Sequence, residues 1–175
     1  MDEIATTVAN LMALAARTAP KACGHDCVSV KVLTGDQLGL LADGLVRYSQ
    51  ESNKKFFGRD GENIRRSDAV VLIAINEYKK AGLNCGACGH DKCDKLADHD
   101  GVEFPGPLCA WRLVDIGIAV GSAVKTASIL NADNRVMYTV GVVARKIGLI
   151  NSPFVIGIPI SAYHKNIYYD RPSIT

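Results

Sequence analysis

The chain has 175 residues, of which 48% are apolar and 22% charged, and its formal net charge at neutral pH is +2. This length suits one globular domain with its own core, and the charge is too small to indicate nucleic acid or an anionic membrane surface as a partner. The longest uncharged apolar run, Ile116–Val124, is far shorter than the roughly 20 residues that cross a bilayer, so we expect no membrane-spanning helix.

The first predicted element is a helix over Asp2–Arg17, where apolar residues recur at helical spacing until Thr18-Ala19-Pro20 ends it. The opening Met1-Asp2-Glu3 is acidic, whereas a signal peptide begins with basic residues. We therefore expect a cytoplasmic protein, in which thiols stay reduced. Six cysteines in such a chain indicate metal or redox chemistry before disulfides.

A loop at Cys23–Cys27 follows the first helix and encloses His25 and Asp26 between its two cysteines. Its C-x3-C spacing lacks the geometry of a C-x-x-C redox motif, so we interpret the two thiols as incidental loop residues. A second metal site, a labile disulfide and a redox pair are the alternatives.

The next elements alternate between strand and helix. Alternating polarity predicts a half-buried strand at Val28–Val32, and apolar spacing predicts a helix over Asp36–Ser52. Asn53–Gly61 is polar and is predicted to be a loop. Ala69–Ile75 is a continuous apolar run rich in β-branched residues, which predicts a strand covered on both faces.

The segment 83–109 contains four cysteines with the spacing C-x2-C-x4-C and a fourth after fifteen more residues. An iron–sulfur cluster needs thiolates wrapped tightly around a compact inorganic core. Gly86 and Gly89 each follow a cysteine, where they permit tight turns and present backbone N–H groups to sulfur. The candidate metal ligands are Cys85, Cys88, Cys93 and Cys109.

The last of these cysteines is placed favourably for an anionic site. Pro107 stiffens the approach to Cys109, which directly precedes a predicted long helix whose N-terminal dipole favours negative charge. Zinc is the main rival, with His90 and His99 as substitute ligands, but structural zinc sites usually pair two C-x2-C or C-x2-H steps. A third interpretation is four reduced, buried thiols without metal. The spacing favours a [4Fe–4S] cluster.

The remainder of the chain predicts three more elements. The long helix spans Ala110–Asn131, and Asp133-Asn134 offers an N-cap for a further helix through Ile147. A buried strand at Phe154–Ile158 follows. These elements predict a single α+β domain over 1–175 that contains 83–109 as a cysteine-rich metal-binding insertion.

The cysteine segment with its following Leu96-Ala97 resembles the small four-cysteine [4Fe–4S] domain of corrinoid iron–sulfur proteins and of electron-transport proteins of anaerobes. A second resemblance covers nearly the whole chain and involves the uncharacterised ferredoxin-domain proteins of anaerobic bacteria and archaea. The segments that carry it are Ala15–Lys21, Leu113–Ala123, Gly157–Ser161 and Lys165–Arg171. It implies a redox role without naming a reaction.

A weaker resemblance is to the nitroreductase fold, carried by Ala19-Pro20 before a strand, Asp115–Ala119 at the start of a long helix, and Ile147–Leu149 before a strand. It implies a mixed sheet packed by long helices, a homodimer and bound FMN. The Arg-Ser-x-Arg phosphate signature of that family is absent. Basic residues placed to hold a flavin phosphate instead are Arg17, Lys21, Arg135 and Lys165.

The polar, aromatic segment Lys165–Arg171 is interpreted as a solvated tail that packs on a dimer partner, with Lys165 and Arg171 at an anionic ligand as the alternative. We expect a one-electron redox protein whose partner is another redox protein or a small-molecule acceptor. The alternatives are a zinc-stabilised interaction protein and an FMN-dependent oxidoreductase.

Overall fold

The computed structural model describes residues 2–77, 79–97 and 99–170. Two 3-10 turns lie at Ala22–Gly24 and Cys93–Lys95. The helices and strands in chain order are α1 (Asp2–Thr18), β1 (Val28–Leu33), α2 (Asp36–Ser52), α3 (Lys55–Arg65), β2 (Ala69–Ile75), α4 (Ala110–Ile129), β3 (Asp133–Asn134), α5 (Tyr138–Lys146) and β4 (Val155–Ser161). Of the helices described, none is long and apolar enough to cross a membrane.

The strands form a four-stranded sheet in the order β1-β2-β4-β3. Leu33 at the end of β1 pairs with Val70 at the start of β2, and Ala74 near the end of β2 pairs with Val155 at the start of β4. Each strand therefore begins beside the point where its neighbour ends, and every pair is antiparallel.

Helices cover both faces of the sheet and produce two separate apolar cores. β2 is buried along its whole length because alternate residues face opposite cores. Val70 and Leu72 pack with α2, α3 and α5, whereas Val71 and Ile73 pack with α1 and α4. The α1–α4 pair is thus held on one face and the remaining three described helices on the other.

The α+β class and most of the predicted elements are confirmed, but the sheet is antiparallel where a mixed sheet was expected. The physical reason lies in the connections. The paired helices α2 and α3 return the chain to the end of β1, so β2 must run back alongside it. β4 also continues past its predicted end through Pro159 to Ser161.

Two element predictions were wrong. Asn53–Gly61 was expected to be a loop, but Asn53 is only the left-handed cap of α2, and α3 begins at Lys55. Glycines hide the periodicity of α3, whose buried face carries only Phe57 and Ile64 as large apolar side chains. Asp133-Asn134 was expected to cap a helix. It forms β3 instead, because pairing with β4 holds that backbone extended.

Gly141 allows the closest approach of a helix to the sheet. A Cβ at this position would overlap the carbonyl oxygen of Val155 in β4. We predict that Gly141→Ala lowers the free energy of unfolding by about 2 kcal/mol or more, because α5 must move away from the sheet.

The matched control is Gly39→Ala in α2, where nothing lies within 4 Å of an added Cβ. This variant should leave stability unchanged or raise it by up to about 1 kcal/mol, since alanine favours a helix over glycine. Urea unfolding of both variants measures the difference. Equal effects would contradict the packing described for Gly141.

Candidate metal centre

The four cysteines of the insertion converge on one cleft. Cys85, Cys88, Cys93 and Cys109 line it together. Cys109 is buried at 6% exposure, Cys88 and Cys93 are half-buried, and Cys85 is exposed. The site therefore has a closed side at the protein interior and an open side at the surface.

The glycines in this loop take the conformations expected of tight turns. Gly86 and Gly89 have φ angles of 75° and 86°, in the left-handed region that favours glycine. The Gly89 N–H donates to the Gly86 carbonyl at 2.9 Å, which closes a turn around Cys88. This turn is what brings the first two cysteines to the same cleft.

Several N–H groups point at the sulfurs. The Asn84 N–H lies 3.3 Å from the Cys93 sulfur, and the Asn84 side-chain oxygen accepts from the Cys93 N–H at 2.8 Å. The pKa of the Cys85 thiol is lowered, first by the Ala87 N–H and then by the Trp111 indole. Such bonds favour thiolate sulfur, which is the form that binds a metal.

Cys109 is the N-cap residue of α4, as its position in the sequence predicted. Its carbonyl oxygen accepts from the N–H groups of Arg112 and Leu113 at 3.0 and 3.1 Å. The Cys109 side chain packs with Ala81, which also lines the cleft, and with buried Leu96. The donor set, apolar wall and helix N-terminus together suit a negatively charged cluster.

The second half of the insertion contacts α5 and the residues that precede α3 and β4. Glu103 forms an ion pair with Lys54 at 2.7 Å, and its carbonyl accepts from Arg145 at 3.4 Å. The ring of Phe104 contacts that of Phe154 with their centroids 4.8 Å apart. The loop is thereby held at both ends by the folded scaffold.

Across residues 2–77, 79–97 and 99–170, no group of three or more His, Cys, Asp or Glu side chains is spaced to hold a metal ion. What the structure shows is convergence of four thiols around a cleft. His90 lines the cleft with them. His99 instead pairs its backbone with Gly106 at 2.7 and 2.9 Å.

A buried ion pair lies in the first turns of α4, beyond Cys109. Arg112 and Asp115 are joined at 2.8 Å, with side-chain exposures of 0% and 2%. Arg112 also donates to the carbonyls of Ala22 at 3.4 Å and Lys80 at 3.2 Å, and it contacts His25 Nδ1 at 3.1 Å. The guanidinium thus ties the start of α4 to two separate loops.

Asp115 is held as a carboxylate by three donors. Burial acts to raise its pKa, but the Ala22 N–H at 2.7 Å, Arg112 and the Cys27 thiol at 3.2 Å outweigh burial and keep the pKa below its ordinary value. Burial and this bond to Asp115 raise the pKa of Cys27 to about 11, so Cys27 is a neutral donor at physiological pH.

The C-x3-C loop is therefore asymmetric. Cys27 is buried at 1% exposure, whereas Cys23 is exposed with a left-handed φ of 60°. Both are free thiols. Cys27 is not incidental, because it completes the hydrogen bonding of Asp115.

The basic residues expected at a flavin phosphate form two pairs. Arg17 and Lys21 line one open cleft at the end of α1, beside Gly24 and Asp26. Lys21 also donates to the carbonyls of Arg17 and Ala19.

The other pair lies near the chain's C-terminal segment. Arg135 donates to the Tyr168 carbonyl at 3.0 Å and lies over the Tyr169 ring, and Lys165 pairs with Asp170 at 2.7 Å. The two pairs lie near opposite ends of α4, so the chain does not bring all four residues together. Arg171 lies outside the described residues.

Sequence reasoning missed Arg112 and Asp115 as functional candidates. The available signal was a charged Arg-x-x-Asp pair inside an otherwise apolar helix, since charged residues are rarely buried unless they are paired. It also missed Asn84 and Trp111. Nothing in the spacing of the cysteines identifies either residue as a donor to sulfur.

Comparison with known proteins places these features in a family. The family model described as "uncharacterized protein containing a ferredoxin domain (DUF2148)" matches residues 105–171, which include Cys109 and the helix it caps. The chain is also 41% identical over 163 residues to an uncharacterized protein of Archaeoglobus fulgidus, covering 92% of this chain and 88% of that protein.

Solved structures with the same fold include nitroreductases. Nitroreductase A from Vibrio parahaemolyticus aligns with a TM-score of 0.57 at 13% identity, covering 97% of this chain and 62% of its own. The FMN-dependent nitroreductase NfnB from Mycobacterium smegmatis aligns with a TM-score of 0.61 at 12% identity, covering 97% and 85%. The chain thus spans less than two thirds of the first of these enzymes, and the likeness establishes the fold.

The raised pKa of Cys27 predicts a specific pH dependence. The folded thiol keeps its proton to about pH 11, whereas the ordinary value is 9.0. Between these values the folded state binds more protons than the unfolded state, so stability falls as pH rises. The contribution of the protonated Cys27 thiol to the free energy of unfolding is complete below pH 9 and is on the order of 2 kcal/mol.

We predict that Cys27→Ser removes this part of the pH dependence, because serine still donates to Asp115 but does not ionise in this range. Cys23→Ser is the matched control at an exposed thiol and should retain the wild-type slope. Urea unfolding at several values between pH 8 and about 11 measures the slopes. Identical slopes for all three proteins would contradict the assignment.

Proposed function

Because this chain belongs to a family of uncharacterized proteins that contain a ferredoxin domain, we propose that it is a redox protein which transfers single electrons through a [4Fe–4S] cluster. The ligands in this proposal are Cys85, Cys88, Cys93 and Cys109. The observation that carries it is the convergence of these four thiols on one cleft.

The chain's own residues support the chemistry that such a site requires. A [4Fe–4S] cluster accepts and releases one electron when it is bound. Cys109 is buried on the inner side of the cleft, and the N–H groups of Asn84 and Ala87 stabilise negative charge on sulfur. Cys85 lies at the surface, where a redox partner protein or a small acceptor can approach.

The decisive measurement is metal, sulfide and flavin analysis of protein purified without oxygen. We predict about four iron and four sulfide per wild-type chain, with broad absorbance near about 400 nm. Single alanine substitutions at Cys85, Cys88 or Cys93 should lower iron to less than about one per chain, because a ligand is lost. Cys23→Ala is the control and should keep the full content, since Cys23 does not line the cleft.

One equivalent of zinc without iron in the same preparation would refute the electron-transfer proposal and favour the zinc-stabilised interaction protein. Zinc in protein handled in air carries no such weight, because thiolates vacated by an oxidised cluster also bind zinc.

An FMN-dependent oxidoreductase is the second candidate function, and the nitroreductase fold is the observation that favours it. In such an oxidoreductase, the cluster delivers electrons to a bound flavin. The cleft with Arg17 and Lys21 offers cations for a phosphate, on the same side of the sheet as α4. Stoichiometric FMN beside iron would support it, whereas iron without flavin would leave the plain electron carrier.

We also propose that the protein is a homodimer that buries the outer face of α4. Trp111, Val114 and Ile118 form an apolar stripe with exposures of 41%, 46% and 41%. Their spacing places them on one side of the helix. Leu11 and Leu14 extend the apolar surface onto α1, which packs beside α4.

For the dimer, we predict that Ile118→Glu produces monomers, because a buried unpaired carboxylate opposes association. Leu40→Glu is the matched control on α2, at 60% exposure and on the opposite face of the sheet, and should leave the association unchanged. Sedimentation velocity over a range of concentrations measures the assembly. A wild-type monomer, or an unchanged Ile118→Glu dimer, would contradict this interface.

A further inference from the structure

We propose that the buried Arg112–Asp115 pair sets the reduction potential of the cluster, with Arg112 raising it and Asp115 lowering it. The inference rests on the proposed iron–sulfur function and assigns to that site two residues that do not ligate metal. The redox step is the gain of one electron from a one-electron donor. No bond to these residues forms or breaks, and no proton moves.

Arg112 is closer than Asp115 to Cys109 along α4. Cys109 is the N-cap residue of the helix, and Arg112 lies three residues later in the first turn, where its backbone N–H donates to the Cys109 carbonyl at 3.0 Å. Asp115 is a further turn away. At 1.5 Å per residue the helix places Arg112 about 4.5 Å and Asp115 about 9 Å beyond Cys109 along the axis. The cation is therefore the nearer of the two charges.

Arg112 is also connected to the cleft through the Lys80–Ala81 segment. Its guanidinium donates to the carbonyl of Lys80, and the next residue, Ala81, lines the cleft with the cysteines. Burial acts to lower the pKa of Arg112, whereas the bond to Asp115 and the charges of Cys27, Asp115 and Cys109 raise it.

Arg112 also has an unsatisfied hydrogen-bond donor. Within the described part of the chain, Arg112 Nε is buried and has no hydrogen-bond partner. Its other nitrogens are occupied by Asp115, Ala22, Lys80 and His25. A buried guanidinium N–H without an acceptor is costly, and a sulfur-rich anion beside Cys109 supplies a compensating charge.

Burial makes the effect of this pair distinct from that of surface charges. With exposures of 0% and 2%, the two side chains are shielded from salt, so their field acts on the site in a low-dielectric environment. A fixed cation favours the more negative, reduced state of a neighbouring cluster, and a fixed anion disfavours it. The two residues therefore have opposite and predictable influences on the potential.

The experiment is an anaerobic redox titration with dithionite at pH 8, followed by absorbance and by electron paramagnetic resonance. We predict that Arg112→Met lowers the potential and Asp115→Asn raises it, each changing the reduced-to-oxidised ratio at fixed potential about tenfold, which is about 59 mV for one electron. Arg112→Lys keeps the charge and should stay near the wild-type value. All shifts should persist in 1 M salt.

The matched control is Arg65→Met, which removes the same charge from an exposed ion pair with Asp43. Arg65 precedes the start of β2, whereas the cysteine segment follows its end, a strand length of about 23 Å away. Its removal should leave the potential unchanged at high salt.

A structural role without electrostatic tuning would lower the stability of the metal-free protein but would not give shifts of opposite sign. Urea unfolding of each metal-free variant measures that contribution separately. The double variant Arg112→Met/Asp115→Leu replaces the pair by apolar groups, which proteins often tolerate, and should give a potential between those of the single variants.

Shifts of the same sign, or shifts no larger than that of Arg65→Met, would overturn the inference while leaving the cluster in place. Loss of the cluster from every Arg112 and Asp115 variant, with retention in Arg65→Met, would assign the pair to assembly of the site and overturn the tuning role. Absence of iron from the wild-type protein would instead refute the proposed function itself.

Discussion

A charged pair sealed inside the protein, Arg112 with Asp115, connects the regions on which the site depends. It joins the first turns of α4 to the Ala22–Cys27 loop and to Lys80, where the chain enters the cysteine segment. Removing one member of such a pair leaves an uncompensated buried charge, which is more damaging than losing the pair as a whole. Three separate parts of the chain are thus held in one relative position, and Cys109 lies at their junction.

This arrangement explains how a loop rich in glycine can present four thiols to one cleft. The 83–109 segment has little regular structure, but its ends continue from β2 and into α4, the two elements packed against each other in the α1–α4 core. Its outer limb is fixed by Lys54–Glu103 and by the contact of Phe104 with Phe154. The scaffold supplies the rigidity that the loop lacks, and the loop supplies the sulfur donors.

The nitroreductase fold does not identify the chemistry of the cysteine cleft. Structural alignment with nitroreductases, at identities of 12–13%, shows the fold alone, so the chemistry must be argued from the residues of the site. Exposed Cys85 marks the open side of the cleft, and Trp111, which also lines the cleft, begins the apolar stripe of α4. In the proposed dimer, the proposed electron-transfer site and the subunit interface therefore share one helix.

The sequence by itself determined what depends on local pattern. Asp36–Ser52 and Ala69–Ile75 were predicted to the residue because their apolar periodicity is strong, and the four cysteines could be named because their spacing is dense and specific.

Prediction from the sequence failed where long-range contacts dominate. Asn53–Gly61 is polar locally, yet its chain continues into α3 because Phe57 and Ile64 meet the core formed by α2 and α5. The antiparallel pairing of β2 with β4 joins residues up to 91 positions apart, as at Ala69 and Ile160, and the Cys27–Asp115 bond joins residues 88 apart. Only the tertiary structure brought these residues together. The spacing of the cysteines identifies which donors the segment carries. The burial and the charge environment of those donors depend on elements from elsewhere in the chain that pack against them.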